Sequence, residues 1–155
     1  METKVIDNWL DKDLVDHINY ICLFKIPHFW KHNDVSSINC FYATDLNQND
    51  NLWEFLFYKL KKSLNLNLEL IRMYINVQHE EMHGNFHTDE GSVTCLYMAT
   101  KNLQKDSGCF EIKGESKIDF IQNRLIAFDA SKEHKGHGPN EKEVRITLAF
   151  KTKII

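Results

Sequence analysis

No apolar run in this chain approaches the roughly 20 residues that a membrane-spanning helix needs, and the amino terminus METKVIDNWLDKDL is too charged for a secretory signal. Neither sign of charge is gathered into a long run, and the formal net charge is only −3. That argues against a nucleic-acid partner, leaving open a local basic patch. The four cysteines, Cys22, Cys40, Cys95 and Cys109, include no CxxC pair of the kind that zinc or redox sites use. Buried thiols in a reducing compartment are the expectation, and with them a soluble cytoplasmic protein. Internal repeats, low-complexity tracts and linkers are absent, so the 155 residues are expected to form one domain around one core.

The hydrophobic fraction, 43%, is ample for such a core. Residues 11 to 24 carry apolar side chains at helical spacing behind Asp11, a natural cap. Pro27 ends that pattern, and PHFWKHNDV after it reads as irregular surface chain. A short strand is expected at 38 to 44. Asn51 and Glu54 have capping-box spacing, and Leu52, Trp53, Leu56, Leu60 and Leu64 follow on one stripe, predicting a second helix over 51 to 64. From residue 69 onward the chain changes character. LELIRMYINVQ, SVTCLYMAT, GCFEIK, SKIDFIQ, RLIAFDA and EVRITLAFKT are short runs rich in β-branched and aromatic residues, parted by turn formers. A mainly β chain with flanking N-terminal helices follows: helical support over about 11 to 64 and a curled or sandwiched β core over about 69 to 152.

The segment NVQHEEMHGNFHTD, residues 76 to 89, contains HExxH at His79, Glu80 and His83. In a zinc hydrolase that motif works on a helix, where i and i+4 share a face. Here a β-like run leads into it and Gly84 with Asn85 follows, so a helix there is poor chemistry and the zinc-hydrolase alternative is weak.

HTD at 87 to 89 is a better ligand pair, because a strand sends residues i and i+2 to one face. His134, just past RLIAFDA, offers a third donor, with His137 close behind it. Two histidines and one carboxylate on one octahedral face leave three positions open on non-haem Fe(II). Arg145 lies eleven residues beyond His134 in EVRITLAF. Alternation puts Arg145, Thr147 and Ala149 on one face of that strand and Val144, Ile146, Leu148 and Phe150 on the other. An arginine in such apolar surroundings calls for an anion, either a protein acid or a ligand carboxylate held by two parallel hydrogen bonds.

With these residues in order, the chain from about residue 70 to its end resembles the Fe(II)- and 2-oxoglutarate-dependent oxygenases, especially the prolyl-4-hydroxylase-like branch. The match rests on HTD, His134 and Arg145, with RMYIN, GCFEI and NRLIAFDASKEH around them. The resemblance implies a double-stranded β-helix, or jelly-roll, cupin-like core. It implies Fe(II) on His87, Asp89 and His134, favouring His134 over His137, with 2-oxoglutarate and O2 as cosubstrates, Arg145 on the distal carboxylate and Tyr74 as a further cosubstrate contact. The implied activity is hydroxylation of an unactivated C–H bond of a small molecule or peptide, a prolyl residue or free proline by branch, with release of succinate and CO2. Arg72 and Asn76, on the Tyr74 face of the same run, are candidate substrate contacts, as are Tyr97 and Glu111. Ser107 to Glu111 departs from the family's GGE-like turn, which weakens the transfer at Glu111. A cupin-like module that binds a small acid without catalysis is the non-enzyme alternative.

Overall fold

The computed structural model describes residues 1–32 and 40–155, with side chains for 1–29 and 42–155. Asp11 starts the first helix, α1 (Lys12–Phe24), by accepting a hydrogen bond from the backbone N–H of Leu14 at 3.1 Å. This satisfies one of the donors that a first turn leaves open. Asp50 rather than Asn51 caps the second helix, α2 (Asn51–Leu64), accepting from the Leu52 N–H at 3.0 Å. Asn65 closes α2 in the left-handed conformation, φ 53°, which a short polar side chain tolerates better than a branched one.

The strands are β1 (Lys4–Ile6), β2 (Phe29–His32), β3 (Cys40–Asp45), β4 (Leu68–Gln78), β5 (Val93–Met98), β6 (Phe110–Ile112), β7 (Leu125–Asp129), β8 (His134–Gly136) and β9 (Arg145–Ile154). Seven form one antiparallel sheet in the order β1-β7-β5-β9-β4-β3-β2. The other two, β6 and β8, pair in a second sheet, which isolated bridges extend: His87 with His134, and Phe110 with Ile118.

Alternation along β4 and β9 divides the interior. Met73, Ile75 and Val77 with Ile146, Leu148 and Phe150 meet the buried stripes of both helices, Val15, Ile18 and Cys22 from α1 and Trp53, Leu56, Leu60 and Leu64 from α2. Each such large apolar side chain taken fully out of water contributes about 1.5–3 kcal/mol. The opposite face contributes Tyr74 and Ala149 to a second cluster with Leu96, Met98, Phe110 and Phe128, toward the smaller sheet. The helices thereby brace one face and leave the other for a cavity.

Three expectations are corrected. Phe29–His32, read as irregular, is a strand because it pairs with β3 through backbone groups, which the mixed side-chain pattern does not report. SKIDFIQ contributes only the Ile118 bridge to a sheet. The short strands β1 and β8 escaped notice, since three residues are too few to show a period. The expected strand at 38 to 44 is seen from Cys40; residues 38 and 39 lie outside the described residues. Among the described residues no helix is long and apolar enough to cross a membrane.

Candidate metal and anion site

A cavity of about 500 Å³ opens on the cavity-facing side of β4 and β9 and is closed opposite by residues around β6 and β8. Its floor is laid out in register. Gln78 lies opposite Arg145, Asn76 opposite Thr147, Tyr74 opposite Ala149, and Arg72 opposite Lys151.

On the opposing wall, His87 and His134 form a hydrogen-bonded antiparallel pair. The His87 N–H donates to the His134 carbonyl at 3.1 Å and the His134 N–H to the His87 carbonyl at 2.9 Å. Such a pair fixes its Cα atoms about 5.5 Å apart, and the imidazole centroids lie 4.4 Å from each other. The ring orientations are set from behind. His87 Nδ1 is 2.9 Å from the Asn85 carbonyl and His134 Nδ1 is 2.8 Å from the Lys132 carbonyl. A carbonyl can only accept, so each Nδ1 carries the proton and each Nε2 presents its lone pair to the cavity. Burial also holds the His87 imidazole below its ordinary value of 6.5, keeping it in the ligating form.

Asp89 completes the group. Its backbone N–H donates to the Ala130 carbonyl at 2.9 Å, which anchors it at the end of β7. Only 1% of its side chain is exposed. Oδ2 accepts from Thr94 Oγ1 at 2.8 Å and lies 3.3 Å from His134 Nε2, while Oδ1 is 3.9 Å from His87 Nε2. Lys151 Nζ approaches Oδ1 to 2.9 Å, an ion-pair distance, and apart from that cation Oδ1 is an orphaned buried acceptor among the described residues. Burial pushes this carboxyl up, yet the Lys151 ammonium beside it helps hold it well below the usual carboxylate range. The ligand atoms of His87, Asp89 and His134 all lie within 4.8 Å of one another. Ligand bonds of about 2.0–2.2 Å fit a single ion among them, and the orphaned Oδ1 supplies the anionic donor. The donor set suits a non-haem divalent iron with open positions.

At the other end of the floor, Arg145 is 2% exposed despite its size and charge. Its Nε donates to the Gly108 carbonyl at 2.7 Å and its Nη1 to Gln78 Oε1 at 2.6 Å. Among the described residues no carboxylate pairs with it. Burial pulls its pKa down to about 10, the signature of a cation whose own surroundings do not pay for its charge. Gly136 lets the chain pass close to this group: a Cβ there would stand 3.2 Å from both Nη atoms of Arg145 and 3.0 Å from Gln78 Oε1.

The other expected site residues divide. Tyr74, Arg72 and Asn76 line the cavity. Tyr97 does not. It is fully buried on the helix side of β5, its ring 5.4 Å from that of Trp9, because its place in the alternation of β5 puts it on the face opposite Leu96 and Met98. Glu111 and His137 hold each other outside the cavity lining, at 2.7 Å, with Lys135 Nζ 3.6 Å from the same carboxylate. His137 is thus engaged away from the ligand group. HExxH at 79 to 83 is a turn, with Glu81 at φ 66°. Its histidines part company, His79 edge-on to Tyr42 and His83 edge-on to His137. Among the cavity residues missed in the sequence are Gln78 and Lys151; Thr94, also missed, lies outside the lining and acts through Asp89. For Gln78 and Lys151 the signal was present, since carrying the alternation of β4 and β9 two more steps puts both on the Tyr74 and Arg145 face.

No family model and no curated protein matches the sequence. Solved structures do. A prolyl hydroxylase from Trichoplax adhaerens, in complex with a hypoxia-inducible-factor peptide fragment, superposes with TM-score 0.79 at 14% identity over 98% of this chain and 83% of that one. The viral collagen prolyl hydroxylase of Paramecium bursaria Chlorella virus 1, with 2-oxoglutarate, gives 0.75 at 13% over 100% and 97%. A carbocyclase of nogalamycin biosynthesis, also α-ketoglutarate dependent, gives 0.75 at 10% over 97% and 78%. The chain therefore has the Fe(II)/2-oxoglutarate oxygenase-like fold, a mostly β core with N-terminal helices, and carries a two-histidine, one-carboxylate group within it. Hydroxylase and carbocyclase share that fold, so fold alone does not choose the reaction.

Proposed function

We propose that this protein is an Fe(II)- and 2-oxoglutarate-dependent hydroxylase, one domain with a double-stranded β-helix core over about residues 69 to 152. The observation that carries this reading is Arg145: a buried guanidinium that no carboxylate of the described residues pairs with, across one cavity from His87, Asp89 and His134. A metal site alone fits many enzymes. A metal site facing an unpaired buried cation fits a ligand with a chelating end and an anionic end, which is the description of 2-oxoglutarate.

His87, Asp89 and His134 would hold the iron. When bound, that metal supplies the activation of O2 that couples decarboxylation of 2-oxoglutarate, to succinate and CO2, with C–H hydroxylation. The chain's own residues do the rest. Arg145 binds the distal carboxylate, and Gln78 and the Gly108 carbonyl keep the guanidinium from rotating away. Thr94 fixes the Asp89 carboxylate, and the Asn85 and Lys132 carbonyls fix the imidazole tautomers. Tyr74 stays a phenol, because burial and the nearby Asp89 charge raise its pKa; it can donate one hydrogen bond to the cosubstrate. Arg72 and Asn76 are the substrate-side contacts, and a prolyl residue or free proline is the substrate class taken from the branch resemblance.

Anaerobic addition of Fe(II) and 2-oxoglutarate tests the reading. A weak visible charge-transfer band that is absent from His87→Ala supports it; no band in the wild-type chain sinks it and leaves a binding module. Under air, succinate release with a gain of one oxygen in a member of a panel of proline, prolyl peptides and small metabolites identifies the acceptor.

A further inference from the structure

Arg72 and Lys151 stand directly opposite each other across β4 and β9, both on the cavity side. Like charges at opposed positions of an antiparallel pair are unfavourable, so such a pair persists only where anions compensate it. Arg72 has one, with its Nε 2.6 Å from Asp45 Oδ1. Among the described residues Lys151 pairs only with Asp89, the carboxylate that would ligate the metal. Both cations flank Tyr74, with the Arg72 guanidinium 4.4 Å and the Lys151 ammonium 5.6 Å from the ring centroid.

The carboxylates around the site are shared unevenly among its cations. The cavity wall carries Arg72, Lys151 and Arg145 against Asp89, and outside the lining Asp45 pairs with Arg72 while the charge of Glu90 also acts on it. A dication adds two positive charges and 2-oxoglutarate removes two. Arg145 would face the distal carboxylate of the keto acid and Arg72 has Asp45 and Glu90, which leaves Lys151 paired with Asp89 alone among the described residues. Only 15% of the Lys151 side chain is exposed, so water screens it poorly. Its sole carboxylate then also faces a dication, which divides the attraction of Asp89 between two cations.

We propose that Lys151, with Arg72 beside it, is the anchor for an acidic group on the primary substrate, so that the enzyme acts on a small acid bearing a free carboxylate rather than on an interior residue of a neutral peptide. This inference rests on the proposed function and refines its substrate class. Arg145 takes the cosubstrate's carboxylate at one end of the floor, and Lys151 takes the substrate's at the other.

The test uses the full chain loaded with Mn(II) and 2-oxoglutarate under nitrogen, where no turnover occurs. The probes are free amino acids, hydroxy acids and dicarboxylic acids, each beside its neutral amide, with binding read by ligand-observed NMR. At least one acid should bind roughly tenfold or more tightly than its amide, the gain expected of a charge-assisted hydrogen bond. Lys151→Met should erase that preference and Lys151→Arg should restore most of it. Tighter binding of the amides, equal binding within every pair, or no binding by any acid overturns the proposal. So does a Lys151→Met chain that keeps the preference. Should that variant not fold, the wild-type comparison of acid with amide decides alone. Failure of 2-oxoglutarate itself to bind with Mn(II) strikes instead at the hydroxylase reading, so the two failures are distinct.

Discussion

Gln78 and Arg145 are cross-strand partners on β4 and β9, and the amide oxygen of the first accepts a 2.6 Å hydrogen bond from the guanidinium of the second. The cation is thus oriented by a neutral group, which fixes its direction and leaves its charge uncompensated. Arg145→Met should therefore do two things at once. The chain without 2-oxoglutarate should gain stability, on the order of 1–3 kcal/mol, because a desolvated charge is replaced by an apolar side chain of similar length. The rise in thermal midpoint that 2-oxoglutarate with Mn(II) gives the wild-type chain should vanish. Scanning fluorimetry with and without the keto acid reads both.

Thr94 touches the metal group only through Asp89 Oδ2. Thr94→Val keeps the shape and removes the donor, so Mn(II) should bind about 10–100-fold more weakly, as is usual when the hydrogen bond behind a metal ligand is lost. Titration followed by Mn(II) electron paramagnetic resonance measures this directly.

His87 and His137 are both held below the ordinary imidazole value by burial. Below pH 6.5 the unfolded chain takes up protons that these two rings refuse in the fold, so their effect on stability is absent above that pH and grows unfavourable as pH falls below it. In the presence of a chelator the thermal midpoint should drop between pH 7 and pH 5. In a His87→Gln, His137→Gln double variant that drop should be smaller.

HExxH is a turn here, so Glu80→Gln and His79→Ala should leave Mn(II) affinity within about twofold of the wild type. A loss comparable to that in His87→Ala would restore the hydrolase motif to the metal site.

The Tyr97 hydroxyl is buried and, among the described residues, has no hydrogen-bond partner. Tyr97→Phe should stabilise the chain by about 1 kcal/mol and leave the metal and cosubstrate affinities unchanged. Urea unfolding and the titrations above check the two halves.

Long periodic segments were legible in the sequence. Asp11 and the stripe behind it announced α1, and the alternation in RMYIN and EVRITLAF announced the two floor strands with the right residues facing in. HTD and His134 carried the metal group, because ligating side chains have few other reasons to recur in that order. The failures have physical causes. Tyr97 looked like Tyr74, an aromatic in a β run, and only the phase of its strand relative to the floor separates them. β2 and β8 are held by backbone pairing, which leaves little mark on side-chain choice. The partnership of Lys151 with Asp89 joins residues 62 positions apart, and no local pattern encodes it.

β9 lies inside the large sheet, hydrogen-bonded to β5 on one side and β4 on the other, and it bears both Arg145 and Lys151. A strand bonded along both edges cannot stretch or slip by one residue without turning its other face inward. The six-residue interval between the two cations, about 20 Å of extended chain, is therefore a fixed gauge. On the proposed reading the keto acid at Arg145 and an acidic substrate at Lys151 are two separate molecules held at the two ends of that gauge, so neither can slide into the other's place.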